Sequence, residues 1–203
     1  MDKKQRIMVA AERLFKTRQF HEITLDEVAK EAQVGKGTLY LYFADKNDLF
    51  FQTAVAGFED MCELLRQDCI TGGPVQQELQ QACKTITEFF RIRRPLFRMM
   101  QSEGDRALGQ GGGLQQRWNQ HRKKMTQAVA EIIGRGVQRR EVRDDIAPKV
   151  LAEYFLGMIR TRAHELEGLP GWPAGEQALV ALFVHGVAGK VPGAKPPKSQ
   201  PPA

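Results

Sequence analysis

Apolar residues recur every three or four positions along almost the whole chain, and no strand-like alternation interrupts them, which restricts the fold to packed α-helices. Residues 1–73 contain no proline, so nothing there forbids continuous helix. The first helix is expected from about Lys3 to Arg18, with Ile7, Ala10, Ala11, Leu14 and Phe15 on one stripe. A second opens at Thr24-Leu25-Asp26-Glu27, where the Thr24 hydroxyl can accept from the Glu27 amide while Glu27 reaches back. Ile23 and Val28 can close a hydrophobic staple around that cap, which contributes about 1 kcal/mol. Leu25, Val28, Ala29 and Ala32 form its buried face, Gln33-Val34-Gly35 break it, and Lys36 to Phe43 form a third helix.

Asp45 is the expected N-cap of a long fourth helix reaching about Ile70, on the repeat Phe51, Val55, Phe58, Cys62, Leu65 and Cys69. Thr71-Gly72-Gly73-Pro74 stops it. A fifth helix covers about Val75 to Arg93, and Leu96 to Gln101 form a short sixth after Pro95. Ser102 to Gly113 is a glycine-rich connector expected to be mobile. A seventh helix runs from Leu114 to near Arg140. Pro148 suits the first turn of an eighth, which carries Leu151, Tyr154, Phe155, Met158, Ile159 and Leu166. Gly168 to Pro173 connects it to a ninth, about Gly175 to Ala188. Lys190 to Ala203 holds five of the ten prolines beside three lysines and is expected to be disordered. The chain therefore reads as all-α, with about nine helices. An N-terminal three-helix domain spans 1–48, a larger helical domain spans 49–189, and a tail spans 190–203.

Several function classes drop out. Cys62, Cys69 and Cys83 are an odd set without a C-x-x-C pair, which reads as buried free thiols. His21, His121, His164 and His185 lack metal-ligand spacing, so no metal site is expected, and no motif calls for a cofactor. No nucleophile motif, phosphate-binding glycine loop or paired carboxylates mark an enzyme. No apolar run approaches the roughly 18 residues of a membrane helix, and the charged N-terminus lacks a signal peptide's apolar stretch, so the chain reads as cytoplasmic.

Charge location says more than the net +6. Residues 1–50 hold 9 Lys and Arg against 8 Asp and Glu, whereas residues 91–140 hold 12 against 3. Composition alone thus does not define a nucleic-acid partner; positions must.

Two short helices joined by a tight turn and packed on a longer first helix make a helix-turn-helix, here about residues 25–44. Its second helix must protrude far enough to enter a major groove about 12 Å wide. In Lys36-Gly37-Thr38-Leu39-Tyr40-Leu41-Tyr42-Phe43, Leu39 and Phe43 lie four apart and can face the first helix. Lys36, Gly37, Thr38, Tyr40 and Tyr42 are left outward.

The stretch Thr24-Leu25-Asp26-Glu27-Val28-Ala29, then Val34 through Phe43, then Lys46-Asn47-Asp48-Leu49, resembles the TetR family of bacterial regulators over about residues 3–63. The resemblance implies a repressor released from a palindromic double-stranded DNA operator by a small, largely apolar effector. It places Thr24 against a phosphate, puts Lys36, Thr38 and Tyr40 at base edges, and assigns Tyr42 and Lys46 to phosphates. Gly37 would let backbone approach backbone. Lys3, Lys4 and Arg6 read either as a basic arm or as an ordinary N-terminus. Gln33 stands where relatives often carry glycine, Gly35 where they often carry serine, and Leu41 where they are often polar.

The resemblance also implies that helices five to nine form an effector-binding core and that the last two pair across a two-fold axis. Phe89, Phe90, Phe97, Met100, Trp118, His121, Arg122, Met125, Phe155 and Met158 are the pocket candidates, with Met99 beside them. Leu151, Tyr154, Ile159, Leu179, Phe183 and Val187 are the homodimer candidates, with Gly157 and Gly186 permitting close helix approach. Two readings of the basic excess stay open. Arg91, Arg93, Arg94, Arg98, Arg117, Arg122, Lys123 and Lys124 either form a solvated face or hold an anionic group on the effector. Control by a protein partner, or an adaptor that no longer reads DNA, are the alternatives at this level.

Overall fold

The computed structural model describes residues 1–67, 73–97, 113–164 and 175–187, and among these it is helical and without strands. The helices are α1 (Lys3–Thr17), α2 (Leu25–Glu31), α3 (Lys36–Tyr42), α4 (Lys46–Ala54), α5 (Phe58–Gln67), α6 (Val75–Ile92), α7 (Gly113–Gln138), α8 (Pro148–His164) and α9 (Glu176–Val187). A 3-10 turn, Phe20–Glu22, precedes α2. The all-α expectation and most element boundaries agree with this order. Cys69, Arg98, Met99, Met100, the connectors at 102–112 and 168–173, Leu166 and the tail lie outside the described residues, and so does the side chain of Leu114.

The fourth helix differs from expectation. It breaks between Ala54 and Phe58, where Gly57 adopts φ +74°. The apolar repeat runs through the break in phase, because Phe51, Phe58, Cys62 and Leu65 all point inward. Glycine enters the left-handed region at little steric cost, and that local freedom ends α4.

The chain divides into two compact units, residues 1–60 with 88–122, and residues 61–87 with 123–203. In the first, α1 packs against α2, α3 and α4 around Ile7, Phe15, Phe20, Val28, Leu39, Phe43, Leu49 and Phe50. Phe15, Phe20 and Phe50 meet as a ring triad with centroids 4.9–6.0 Å apart. Lys3, Lys4 and Arg6 belong to α1, which Asp2 caps by accepting from the Gln5 amide at 2.7 Å. These residues are therefore helical, and Arg6 is turned inward to two carbonyls of the α2–α3 turn.

The second unit buries Val75, Leu79, Ile86, Ile132, Ile133, Leu151, Phe155, Val180 and Phe183. A carboxylate sits inside this apolar set. Glu78, fully buried at its side chain, meets Arg135 at 2.9 Å and Arg139 at 3.0 Å. Arg139 also reaches Glu141 at 2.7 Å, and Glu141 accepts from the backbone amide of Val75 at the start of α6. Two cations matched to one buried anion, with further acceptors behind them, meet the condition under which an interior charge is tolerated. Phe155 of α8 packs on Phe183 of α9, centroids 5.0 Å apart.

Gly157 and Gly186 have nothing within 4 Å of the position a Cβ would take, so the expected close approach does not occur at them within the chain. It occurs at Gly136 of α7, where an added Cβ would lie 2.7 Å from Val75 Cγ2 and 2.9 Å from Val142 Cγ2. Gly136→Ala is expected to lower stability by about 1–3 kcal/mol through overpacking, read as a fall in denaturation midpoint without loss of helical circular dichroism. An unchanged midpoint would show that α7 can slide away from Val75.

Candidate nucleic-acid interface and regulatory sites

The reading surface is built from the cap of α2 upward. Thr24 Oγ1 accepts from the Glu27 amide at 3.2 Å, while Glu27 Oε2 accepts from the Thr24 amide at 2.8 Å and from its hydroxyl at 2.9 Å. The other Glu27 oxygen accepts from Arg18 Nη1 at 2.8 Å, and these donors hold the Glu27 carboxyl down at about 2. The capping box is therefore also an anchor between α1 and α2.

The turn between α2 and α3 explains a departure noted in the sequence. Gln33 has φ +53°, the left-handed conformation that favours glycine, and Gln33 pays a steric penalty there. Arg6 stabilises the same turn from below, donating to Ala32 O at 2.7 Å and Gln33 O at 3.1 Å. α3 then starts at Lys36 behind the N-cap Gly35.

Leu39 and Phe43 are buried against the α1 core, and on the opposite side Tyr40, Leu41 and Tyr42 are 49%, 82% and 40% exposed. Gly37 is exposed, with nothing within 4 Å of a Cβ position, and Thr38 is half-buried. Lys36 is tied to Asp26 at 2.8 Å, which raises its pKa further above neutrality. Lys46 is turned towards the chain's own backbone in this structure. Its ammonium donates to Phe20 O and Ile23 O at 2.9 Å each and sits 4.4 Å from the Phe20 ring centre, pinning the 3-10 turn in this conformation.

The pocket candidates fall in both units. In the first, Phe58, Phe89, Phe90, Phe97, Trp118 and His121 form a chain of ring contacts with centroids 4.9–6.4 Å apart. Phe58 belongs to this cluster and was absent from the sequence-derived set, because its place in the apolar repeat of α5 marked it only as core. Arg93 lies over the Phe89 ring at 4.4 Å, and burial lowers its pKa. Arg91 instead forms a two-pronged pair with Glu88, and Arg122 is exposed. In the second unit Met125 and Phe155 are core residues, and Met158 lines an outward groove. Met100 lies outside the described residues.

One turn of α7 faces both ways within the first unit. Trp118 and His121 join the ring cluster, while Arg117 sits 4.2 Å from the Phe51 ring centre and bonds Asp48 at 2.8 Å. Asp48 accepts in turn from the Ala44 amide at 3.1 Å, directly after α3, and from Gln52 at 2.9 Å.

The homodimer candidates need revision. Leu151, Ile159, Leu179, Phe183 and Val187 are buried within the protomer, because α8 and α9 use those positions to pack on their own unit. Of that set only Tyr154 points outward. Tyr154 and Leu182, 67% and 60% exposed, join Val150 and Met158 around a groove of about 740 Å³ on α8 and α9. The signal for Val150 and Leu182 was the second apolar face of these helices, which periodicity alone could not apportion.

A short exposed helix held by two apolar residues behind a tight turn is the arrangement of a helix-turn-helix DNA-binding module. Residues 7–53 match the model described as bacterial regulatory proteins, tetR family, so the chain carries the helix-turn-helix domain of that family. It is similar to the uncharacterized HTH-type transcriptional regulator YhgD of Bacillus subtilis, 28% identical over 52% of this chain and 55% of that protein. The match spans about half the length of such curated relatives. In fold it is similar to a TetR-family transcriptional regulator of Mesorhizobium loti, with a TM-score of 0.72 at 18% identity over 92% of this chain and 96% of the other. It is similar also to the regulator FadR of Bacillus subtilis, solved in complex with stearoyl-CoA, with a TM-score of 0.68 at 20% identity over 89% and 95%. No helix among the described residues is long and apolar enough to cross a membrane.

Two measurements test this local geometry. Gln33→Gly should raise the thermal midpoint, because relief of the left-handed penalty, about 1–2 kcal/mol, exceeds glycine's entropic cost of about 0.5–1 kcal/mol; a lower midpoint would refute the assigned turn. Glu27 has a depressed pKa, so its contribution is complete above the unfolded value near 4.3 and is lost as pH falls towards about 2. Wild type should therefore lose thermal stability over that window more steeply than Glu27→Gln, and parallel pH profiles would contradict the clamp.

Proposed function

We propose that the chain is a DNA-binding transcriptional repressor that acts as a homodimer in the cytoplasm and is released from a palindromic operator by a small, largely apolar effector bearing an anionic group. The observation that carries this reading is the solvent-facing row Tyr40, Leu41 and Tyr42 on a helix fixed from behind by Leu39 and Phe43. Two large aromatics gain nothing from water on a seven-residue helix, and they suit a major groove. Residues 1–48 would read DNA and residues 49–189 would sense and pair.

In this reading Lys36, Thr38 and Tyr40 meet base edges, while Thr24, Gly37 and Tyr42 approach the backbone. Lys46 acts through the turn that it pins. The groove around Val150, Tyr154 and Leu182 supports pairing, and Glu153 and Arg160 on the same surface suit a self-complementary two-fold contact. Pairing would set the two reading helices about 34–36 Å apart, one turn of DNA.

The effector half rests on the ring cluster and on Arg93, a partly desolvated cation stacked beside it. Stearoyl-CoA in the similar regulator of Bacillus subtilis combines an acyl chain with anionic groups, and is a suitable first probe. Displacement of the turn bearing Arg117, Trp118 and His121 would reach Asp48 and the end of α3. A coupling of about 1–3 kcal/mol weakens DNA binding 5- to 150-fold.

The test is selection of bound duplexes from a random pool, followed by gel shift. The wild-type protein should enrich a palindrome, Tyr40→Ala should lose at least about tenfold in affinity for it, and stearoyl-CoA should release it. Failure to enrich any sequence, or full specificity in Tyr40→Ala, would overturn the reading helix. Enrichment without release by stearoyl-CoA would remove the acyl effector and leave the DNA reading standing.

A further inference from the structure

The first turn of α2 carries two acids that are used differently. Glu27 is consumed by the protein, accepting from Thr24 twice and from Arg18. Asp26, next to it, caps no amide in α2. Its carboxylate reaches across to the ammonium of Lys36, with Oδ1 at 2.8 Å and Oδ2 at 2.9 Å. Both side chains stay in water, Lys36 60% and Asp26 62% exposed, so burial does not explain the pair. Lys36 opens the reading helix, and Tyr40 stands one helical turn further on.

From this arrangement we infer that Asp26 is a specificity-determining residue, which holds Lys36 for base readout and suppresses its use as a general phosphate anchor; the inference rests on the DNA-reading role proposed above. An ammonium has three N–H donors. One or two engage Asp26, and at least one remains for an acceptor such as guanine O6 or N7. A base edge in the correct register receives a donor that is already oriented. A phosphate in a random register meets a neutralised pair, with a carboxylate repelling it at close range. Binding driven by phosphates alone is therefore weakened more than binding driven by readout, which is discrimination by an added repulsion.

The surrounding charges fit this economy. Arg18 is paired with Glu27, Arg13 with Glu31, Arg6 is spent on two carbonyls, and Lys46 on two more. These four cations of the first unit are thus engaged by acids or by backbone carbonyls.

The test compares wild type, Asp26→Asn, Lys36→Met and the double variant by fluorescence anisotropy, on the selected operator and on a random-sequence duplex of equal length across a salt series. Asp26→Asn should tighten binding to the random duplex about fivefold and change operator affinity less than about twofold, so the specificity ratio falls about fivefold. On the random duplex its plot of log affinity against log salt should steepen by about 0.9, one additional phosphate contact. In the Lys36→Met background Asp26→Asn should change the ratio by less than about twofold, since the carboxylate acts through the lysine. An unchanged ratio in Asp26→Asn, or the same change with Lys36 absent, would overturn the inference while leaving the DNA-reading role intact. A wild-type protein that selects no sequence would overturn both. Asp26→Ser repeats the measurement should Asp26→Asn fold poorly by circular dichroism.

Discussion

The packing of Leu39 and Phe43 into the α1 core is the interaction on which the rest of the reading domain depends. A seven-residue helix is far below the length at which isolated helices persist in water. Burying two such side chains contributes about 1.5–3 kcal/mol each, enough to hold the segment in helical form. It also fixes rotation about the helix axis, which decides what faces outward. The neighbouring polar contacts refine that placement without creating it. Arg6 braces the preceding turn, Lys46 braces the turn before α2, and Asp48 accepts from the Ala44 amide just beyond α3.

The route from the ring cluster to the end of α3 is short in chemical terms. Phe51 is buried in α4, and its ring is covered by Arg117, which also bonds Asp48. A guanidinium can stack and donate at once, because it is planar and its N–H groups lie at the rim. The same residue therefore touches an apolar and a charged partner that move with α4. Trp118 and His121 of the same turn sit among rings. The link is a few ångströms of direct contact within one compact unit.

Much of the fold was legible in the sequence, and the failures have separable causes. The capping box at Thr24 was readable because cap chemistry is local and depends on spacing alone. Leu39 and Phe43 were readable because a four-residue offset selects one face of a helix. The break at Gly57 was not, since the apolar repeat continues in phase across it, and only the glycine itself hinted at a bend. Lys46 and Arg6 defeated inspection for another reason: long cations can turn to solvent, DNA or backbone carbonyls, and the sequence does not say which carbonyls are near. The outward face of α8 and α9 was hidden because both faces are apolar, so Leu151 and Val150 look alike until packing separates them. Gln33 stood out in the sequence only as a departure from the glycine of similar regulators, and its left-handed backbone became visible in the structure alone.

The buried carboxylate of Glu78 has a consequence for how the second unit tolerates change. Two arginines serve the buried Glu78, so the cluster is redundant on its basic side, and Glu141 gives Arg139 a second, more exposed acid. Exchange of either Arg135 or Arg139 for a neutral side chain leaves the anion with a cation still in reach. Exchange of the acid removes the one anion that Arg135 and Arg139 share, although Arg139 keeps Glu141 at 2.7 Å. Mutational drift through this region is therefore lopsided, easier at either arginine than at the buried acid on which both converge.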